Sequence, residues 1–316
     1  MPHILLTGAG FTRNWGGWLA KELEGDLLGR LATHPKLRTL VQNSPTYENA
    51  LEMARSSESG GAALSADQVN ALEQAIKESF GAMNLALAQR KSLDLSPEYA
   101  RTAAGFLTSF DAIFTLNQDL LLEFHYYAAG FSHRNFVGSY YPGLQPAVVP
   151  ATTPGELFRH LNRRVGTIGP ADPERQPIYK LHGSVDWQDG SGGLFVVGGG
   201  KESYIRGKSI LSQYFDLFRE SLSRPNTRLM IIGYGWGDDH VNRLIFDASK
   251  ANHSLGIFHV HPEGRDAIHR GGSQPVVPYS VPTLSSLKCI GESRRLLTTT
   301  FGGDTLEYDK LMRFFS

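Results

Sequence analysis

Three polar side chains stand where strand patterns stop, and their types suit proton transfer and the holding of hydroxyl groups. His182 follows the run Ile178-Tyr179-Lys180-Leu181 and precedes Gly183-Ser184. An imidazole with an ordinary pKa of about 6.5 can take a proton from a hydroxyl or a water near neutral pH. Asn117 and Asp119 follow the run Ile113-Phe114-Thr115-Leu116. A neutral amide can hold a hydroxyl or a water without adding charge, and a carboxylate can accept hydrogen bonds from an amide. Alone, an Asn-x-Asp after a strand reads as a turn or a helix cap. Two glycine-rich turns accompany them. Gly8-Ala9-Gly10-Phe11-Thr12 closes one apolar run, and Gly233-Tyr234-Gly235-Trp236-Gly237-Asp238-Asp239-His240 closes another. Residues without a Cβ let the backbone turn tightly and approach a phosphate.

A parallel sheet must stand behind these residues, because open α/β sheets bind ligands at the carboxyl ends of their strands. Short apolar strand patterns lie at residues 4–7, 112–116, 178–181, 229–232 and 256–261. A helix is expected over about residues 15–28, its first amides toward an anion. Residues 30–110 read as a helical insertion between the first and second strands, with apolar residues at helical spacing over 47–54 and 69–87. Within it, 56–65 is a Gly/Ser-rich connector, and Ser96-Pro97 reads as a helix cap and first helical residue. Glu48, Glu52 and Asp67 read there as solvated helix faces. Further helices are expected over 120–128, 213–223 and 241–251, and a hairpin or flap over 190–200. A short helix at 306–315 offers Leu311, Phe314 and Phe315 for packing or for a partner. His240, His259 and His261 read as turn or packing residues, because no further cysteine or carboxylate spacing completes a metal ligand set.

Composition narrows the classes. Lys+Arg and Asp+Glu both total 31 in 316 residues, so no basic excess suggests nucleic-acid binding. Cys289 is the single cysteine, which fits a reducing cytoplasm and excludes both a disulfide framework and a four-cysteine zinc site. The first residues lack a basic n-region and a long apolar core, so no signal peptide is expected. No apolar run reaches the roughly 18 residues that a membrane span needs.

Gly-Ala-Gly, Thr-x-Asn-x-Asp and Lys-Leu-His-Gly-Ser, in this order and each after a strand pattern, resemble the sirtuin family over about residues 3–265. The resemblance implies an α/β fold: one domain over 1–316, a Rossmann-like, mostly parallel sheet with helices on both faces. It implies NAD+ as a substrate, with no resident cofactor. It implies catalytic roles for Asn117, His182 and Asp119. Gly8, Ala9, Gly10 and Thr12 match the phosphate-side motif, and Gly233, Gly235 and Asp239 match a second strand-end motif. Sirtuin deacylases carry a zinc ribbon in the part of the chain that is loop-rich here and holds no cysteine. That departure makes the chain similar to the zinc-free branch of bacterial antiphage defence, whose domains hydrolyse NAD+ to nicotinamide and ADP-ribose. The branch implies a cytoplasmic homo-oligomer, gated by assembly or by a separate partner such as a HerA-type ATPase, without direct nucleic-acid or membrane binding. A zinc-free deacylase or ADP-ribosyl transferase, and a non-catalytic NAD or ADP-ribose binding module, are the alternatives.

Overall fold

In chain order the strands are β1 (His3–Thr7), β2 (Ala112–Thr115), β3 (Gly138–Tyr140), β4 (Arg163–Arg164), β5 (Arg175–Lys180), β6 (Gly183–Asp189), β7 (Gly192–Phe195), β8 (Arg228–Ile232), β9 (Gly256–Val260) and β10 (Cys289–Ser293). The computed structural model describes residues 1–57, 64–90, 93, 102–127, 136–144, 163–164, 166–189, 192–198, 200–270 and 287–316. A seven-stranded sheet has the order β10-β9-β8-β1-β2-β5-β3, and its pairings are parallel. Ile4, Leu5 and Leu6 are buried in succession, as are Leu229 to Ile232. Strands covered on both faces have no polar side to alternate with, so they read as continuous apolar runs.

Between β1 and β2 lie α1 (Ala9–Arg13), α2 (Ala20–Arg30), α3 (Pro35–Asn43), α4 (Tyr47–Ser57), α5 (Ala66–Ala88) and α6 (Ala103–Leu107), which is the expected helical insertion. Ser65 caps α5 by accepting from the Gln68 N–H, and Thr102 caps α6 by accepting from the Gly105 N–H. The cap expected at Ser96 lies outside the described residues, as does most of the 56–65 connector. After β7 come α7 (Lys201–Gly207), α8 (Ser209–Ser223) and α9 (Asp239–Ala251). α8 buries Ile210, Leu211, Tyr214, Phe218 and Leu222 along one face.

Two local expectations change, the tail takes one of its two expected roles, and one strand was not expected. No single helix runs over 15–28: α1 starts at Ala9, and α2 starts only at Ala20. The Asn14 amide donates to the Gly10 and Phe11 carbonyls, Trp15 donates to the Leu93 carbonyl, and Gly16 takes φ +87°. These bonds fix a turn where the apolar spacing suggested a helix. The helix expected over 120–128 is a π-helical turn, Leu122–Tyr127. The C-terminal aromatics face inward: Phe314 is buried, and its ring meets His3, Phe110 and Phe258. Phe314 and Leu311 therefore serve the packing of this chain. β10, half-exposed and carrying a glycine, had no apolar signature to announce it.

The 190–200 hairpin is formed by β6 and β7, with Gln188 opposite Gly193 and Asp189 opposite Gly192. β6 begins directly at Gly183, whose φ is +69°. A Cβ there would stand 2.1 Å from the Leu194 carbonyl oxygen. Gly183→Ala is expected to cost roughly 1–3 kcal/mol for the left-handed backbone alone, with the collision added, and to show as a lowered melting temperature.

Candidate active site

Register aligns the carboxyl ends of the strands. Thr7 lies opposite Thr115 on one side and Ile232 on the other, and Thr115 lies opposite Lys180. Gly8, Asn117, His182 and Gly233 therefore leave neighbouring strands at one level. β1 is followed in sequence by a strand on one flank, and its other flank is filled by β8, so the sheet order reverses between them. Crevices that bind ligands open at such points.

The two glycine turns meet at that reversal. The Gly8 N–H donates to the Ile232 carbonyl at 3.0 Å, and the Gly10 N–H donates to the Gly233 carbonyl at 2.9 Å. A Cβ on Gly8 would come within 2.7 Å of the Gly233 oxygen, and Gly233 itself has φ +65°. These glycines are required by the contact of one turn with the other, a reason the sequence did not reveal. Ala9, Gly235 and Asp239 are exposed around this contact.

Thr12 ties the second motif to the first. Its Oγ1 accepts from the Asn117 Nδ2 at 2.8 Å and donates to Asp119 Oδ2 at 2.9 Å. The Leu121 N–H donates to Asp119 Oδ1 at 3.1 Å. Thr115 Oγ1 accepts both from the Asn117 N–H and from the Thr7 hydroxyl. Asn117 is thus aimed by bonds from two directions. Burial pushes the Asp119 carboxyl above its ordinary pKa, and the Lys180 ammonium works against that. A small cavity of about 10 Å³, room for about one water, lies among Phe11, Thr12, Asn117, Asp119 and Lys180.

Lys180 is itself 1% exposed and spends its donors on the Asp119 carbonyl, Glu123 Oε1 and Ser184 Oγ, at 2.6, 2.8 and 2.8 Å. It joins the end of β5 to the start of β6 and to the π-helical turn.

His182 is buried, and its Nε2 lies 3.0 Å from the Nε2 of His240. The Phe215 ring lies beside both imidazoles. Burial lowers the His182 pKa to about 3, with Lys201 and His240 adding to the effect and Asp238 opposing it. Burial lowers His240 as well. For Asp238, burial alone would raise the carboxyl pKa, but Lys201 and the two histidines hold it below the ordinary range. The Lys201 ammonium bonds Asp238 at 2.8 Å and Glu48 at 2.7 Å.

Glu48 corrects the expectation of a solvated helix face, because α4 turns it inward to Lys201; Glu52 and Asp67 are exposed as expected. Glu48, Lys201, Asp238 and His240 were not assigned to the site from sequence. Asp238-x-His240 at a strand end was a visible signal. Lys201 and Glu48 had none, since one lies after a hairpin and the other in the insertion. His259 is a core histidine: it is fully buried, contacts the Gly264 carbonyl through Nδ1 at 2.7 Å and accepts from Trp236 Nε1 through Nε2.

The depressed histidines fix the sign of the pH dependence of stability. Below about pH 6.5 the unfolded chain binds protons that folded His182 and His259, with pKa values of about 3 and about 4, do not. Stability is therefore fully present above pH 6.5 and falls as the pH drops towards 4. Melting temperature against pH should show this slope, and His182→Gln should make it shallower.

Among the described residues no helix is long and apolar enough to cross a membrane. No curated protein matches the sequence. A family profile described as a SIR2-like domain matches residues 111–271. The match takes in the Asn117 and His182 strand ends as well as Asp238 and His240, and it spans just over half of the 316 residues. Together with the parallel sheet that sets those strand ends side by side, it places the chain in the SIR2-like domain family.

Proposed function

We propose that the chain is an NAD+ glycohydrolase that cleaves the bond between nicotinamide and ribose. The observation that carries the reading is the placement of Asn117 and His182 on the adjacent strands β2 and β5, at one level and beside the β1–β8 reversal. Cleavage of such a bond passes through an oxocarbenium-like state at the ribose, and needs a held sugar and a positioned nucleophile. The Asn117 side-chain amide, oriented by Thr12 while Thr115 holds the backbone N–H, holds a ribose hydroxyl or the attacking water. His182 is neutral at pH 7 and takes the proton that the hydroxyl or water releases. Asp119 fixes Thr12 and thereby Asn117. Water adds to the ribose, nicotinamide leaves with the bonding electrons, and the products are nicotinamide, ADP-ribose and a proton.

Hydrolysis is favoured over protein deacylation because Cys289 is the chain's single cysteine, and the ribbon against which sirtuins dock a peptide needs four. The role we infer is depletion of NAD+ during phage infection, switched by self-assembly or by a partner protein.

The test incubates purified protein with NAD+ and follows nicotinamide and free ADP-ribose by chromatography. Equal release of both is expected. Nicotinamide release with ADP-ribose attached to protein would replace hydrolysis by transfer. NAD+ binding without turnover, in buffer and in infected-cell extract alike, would make the chain a binding module. Because burial lowers the His182 pKa to about 3, kcat/KM should stay level from pH 8 to below pH 6. An acid limb centred at the ordinary histidine value would contradict this assignment.

A further inference from the structure

Two imidazole nitrogens face each other across 3.0 Å, Nε2 of His182 and Nε2 of His240. Lone pairs that close repel unless something positive lies between them, a proton or a metal ion. One ring nitrogen of each histidine and a carboxylate oxygen of Asp238 all lie within 4.8 Å of one another. We propose that His182, His240 and Asp238 bind one divalent transition-metal ion, zinc by the chemistry of the donors, and that the metal competes with NAD+ for His182. The second half of this statement rests on the hydrolase reading; the first half does not.

Two imidazoles and one carboxylate form the ligand set of a zinc site with an open fourth position. Zinc–nitrogen bonds of about 2.05 Å at a tetrahedral angle set the two nitrogens about 3.3 Å apart. The pair needs to open by a few tenths of an ångström, a small side-chain rotation. His240 and Asp238 are only partly buried, so the ion has an entry on their side. The Lys201 ammonium holds the Asp238 carboxylate at 2.8 Å, as second partners hold ligating carboxylates elsewhere. Its positive charge is offset by Glu48 at 2.7 Å, so Glu48, Lys201 and Asp238 together carry one negative charge. Hard cations such as magnesium and calcium prefer all-oxygen ligands and do not suit this set. A metal on His182 occupies the lone pair that would take the proton, so the bound ion inhibits.

The experiment uses the full chain with Cys289→Ser, which removes the exposed thiol as a competing ligand. Chelator-treated protein is titrated without NAD+, with zinc by calorimetry and with cobalt(II) by visible absorption. One equivalent should bind, and cobalt should give four-coordinate bands. His240→Gln and Asp238→Asn should each weaken binding by more than the roughly 10–100-fold typical of losing a mere supporting partner. Imidazole proton resonances of the unsubstituted protein, followed during the zinc titration, give a readout that needs no folded variant: two histidines should shift together. Unchanged zinc affinity in folded His240→Gln, or no pair of shifting imidazoles, would overturn the site and leave a shared proton between the rings. A parallel arm measures NAD+ turnover with one equivalent of zinc, where loss is expected. Zinc binding without NAD+ turnover at any metal level, in buffer and in infected-cell extract alike, would sink the hydrolase reading and leave the site. Turnover with no zinc binding would sink the site and leave the hydrolase.

Discussion

His182→Ala is expected to lower NAD+ turnover by roughly 10²–10⁴-fold, the contribution usual for a positioned acid–base group. The substitution should leave the fold intact, because the ring's polar contact is to His240 alone among the described hydrogen bonds. It also removes a buried imidazole that opposes folding in acid, so the variant's melting temperature should fall less than the parent's between pH 7 and pH 5. Asn117→Ala should reduce turnover to a similar degree by a different route. It removes the side-chain amide that Thr12 holds in place, so the sugar or water loses its anchor. The double variant should be little worse than either single one, since groups that act as a unit are not additive. Nicotinamide release by each purified variant decides the matter. Turnover retained in folded His182→Ala would remove the histidine from the mechanism.

Lys180→Met is expected to destabilise the protein by about 3–5 kcal/mol, the range for breaking a buried ion pair from one side. Glu123 is fully buried, and among the described residues its Oε2 has no hydrogen-bond partner, so the lysine provides its charge compensation. The methionine would leave that carboxylate uncompensated, and would release the Asp119 carbonyl and Ser184 as well. Adding Glu123→Leu should restore much of the loss, because a well-packed apolar pair can replace a buried ionic one. Denaturant midpoints of the two variants measure both effects. A single variant as stable as the parent would show that Lys180 is not the counter-charge. Because Lys180 holds the residue next to Gln118 and two beyond Asn117, the single variant should also lose turnover where it remains folded.

The strands were legible because buried parallel strands are unbroken apolar runs, as in Ile4 to Leu6 and Leu229 to Ile232. The order of three strand-end motifs carried the family. What stayed hidden depends on contacts between distant segments. Gly8 and Gly10 have a structural reason that stayed out of view, because nothing in the sequence tells that Gly233 rests on them. Glu48 looked solvated because helical spacing says which face is apolar, and not which polar residue meets Lys201. The turn at 14–19 escaped notice because the Asn14 amide, and not a helix-breaking run, ends α1. The tail looked available to a partner because Phe314 and Phe315 are apolar whether their cover comes from this chain or another.

The place of β1 also sets a schedule for synthesis. The strand at His3–Thr7 leaves the ribosome well before both of its neighbours, Ala112–Thr115 and Arg228–Ile232. Until Ile232 has emerged, one edge of β1 has no mate, and the contact of the Gly8 turn with Gly233 cannot form. The profile-matched residues 111–271, made alone, lack the strand on which β2 and β8 converge. Chains that close such distant pairings fold slowly and expose apolar edges while they wait. A ribosome-stalled chain ending short of Ile232 should therefore be protease-sensitive along its whole length, and one ending beyond Val260 should not.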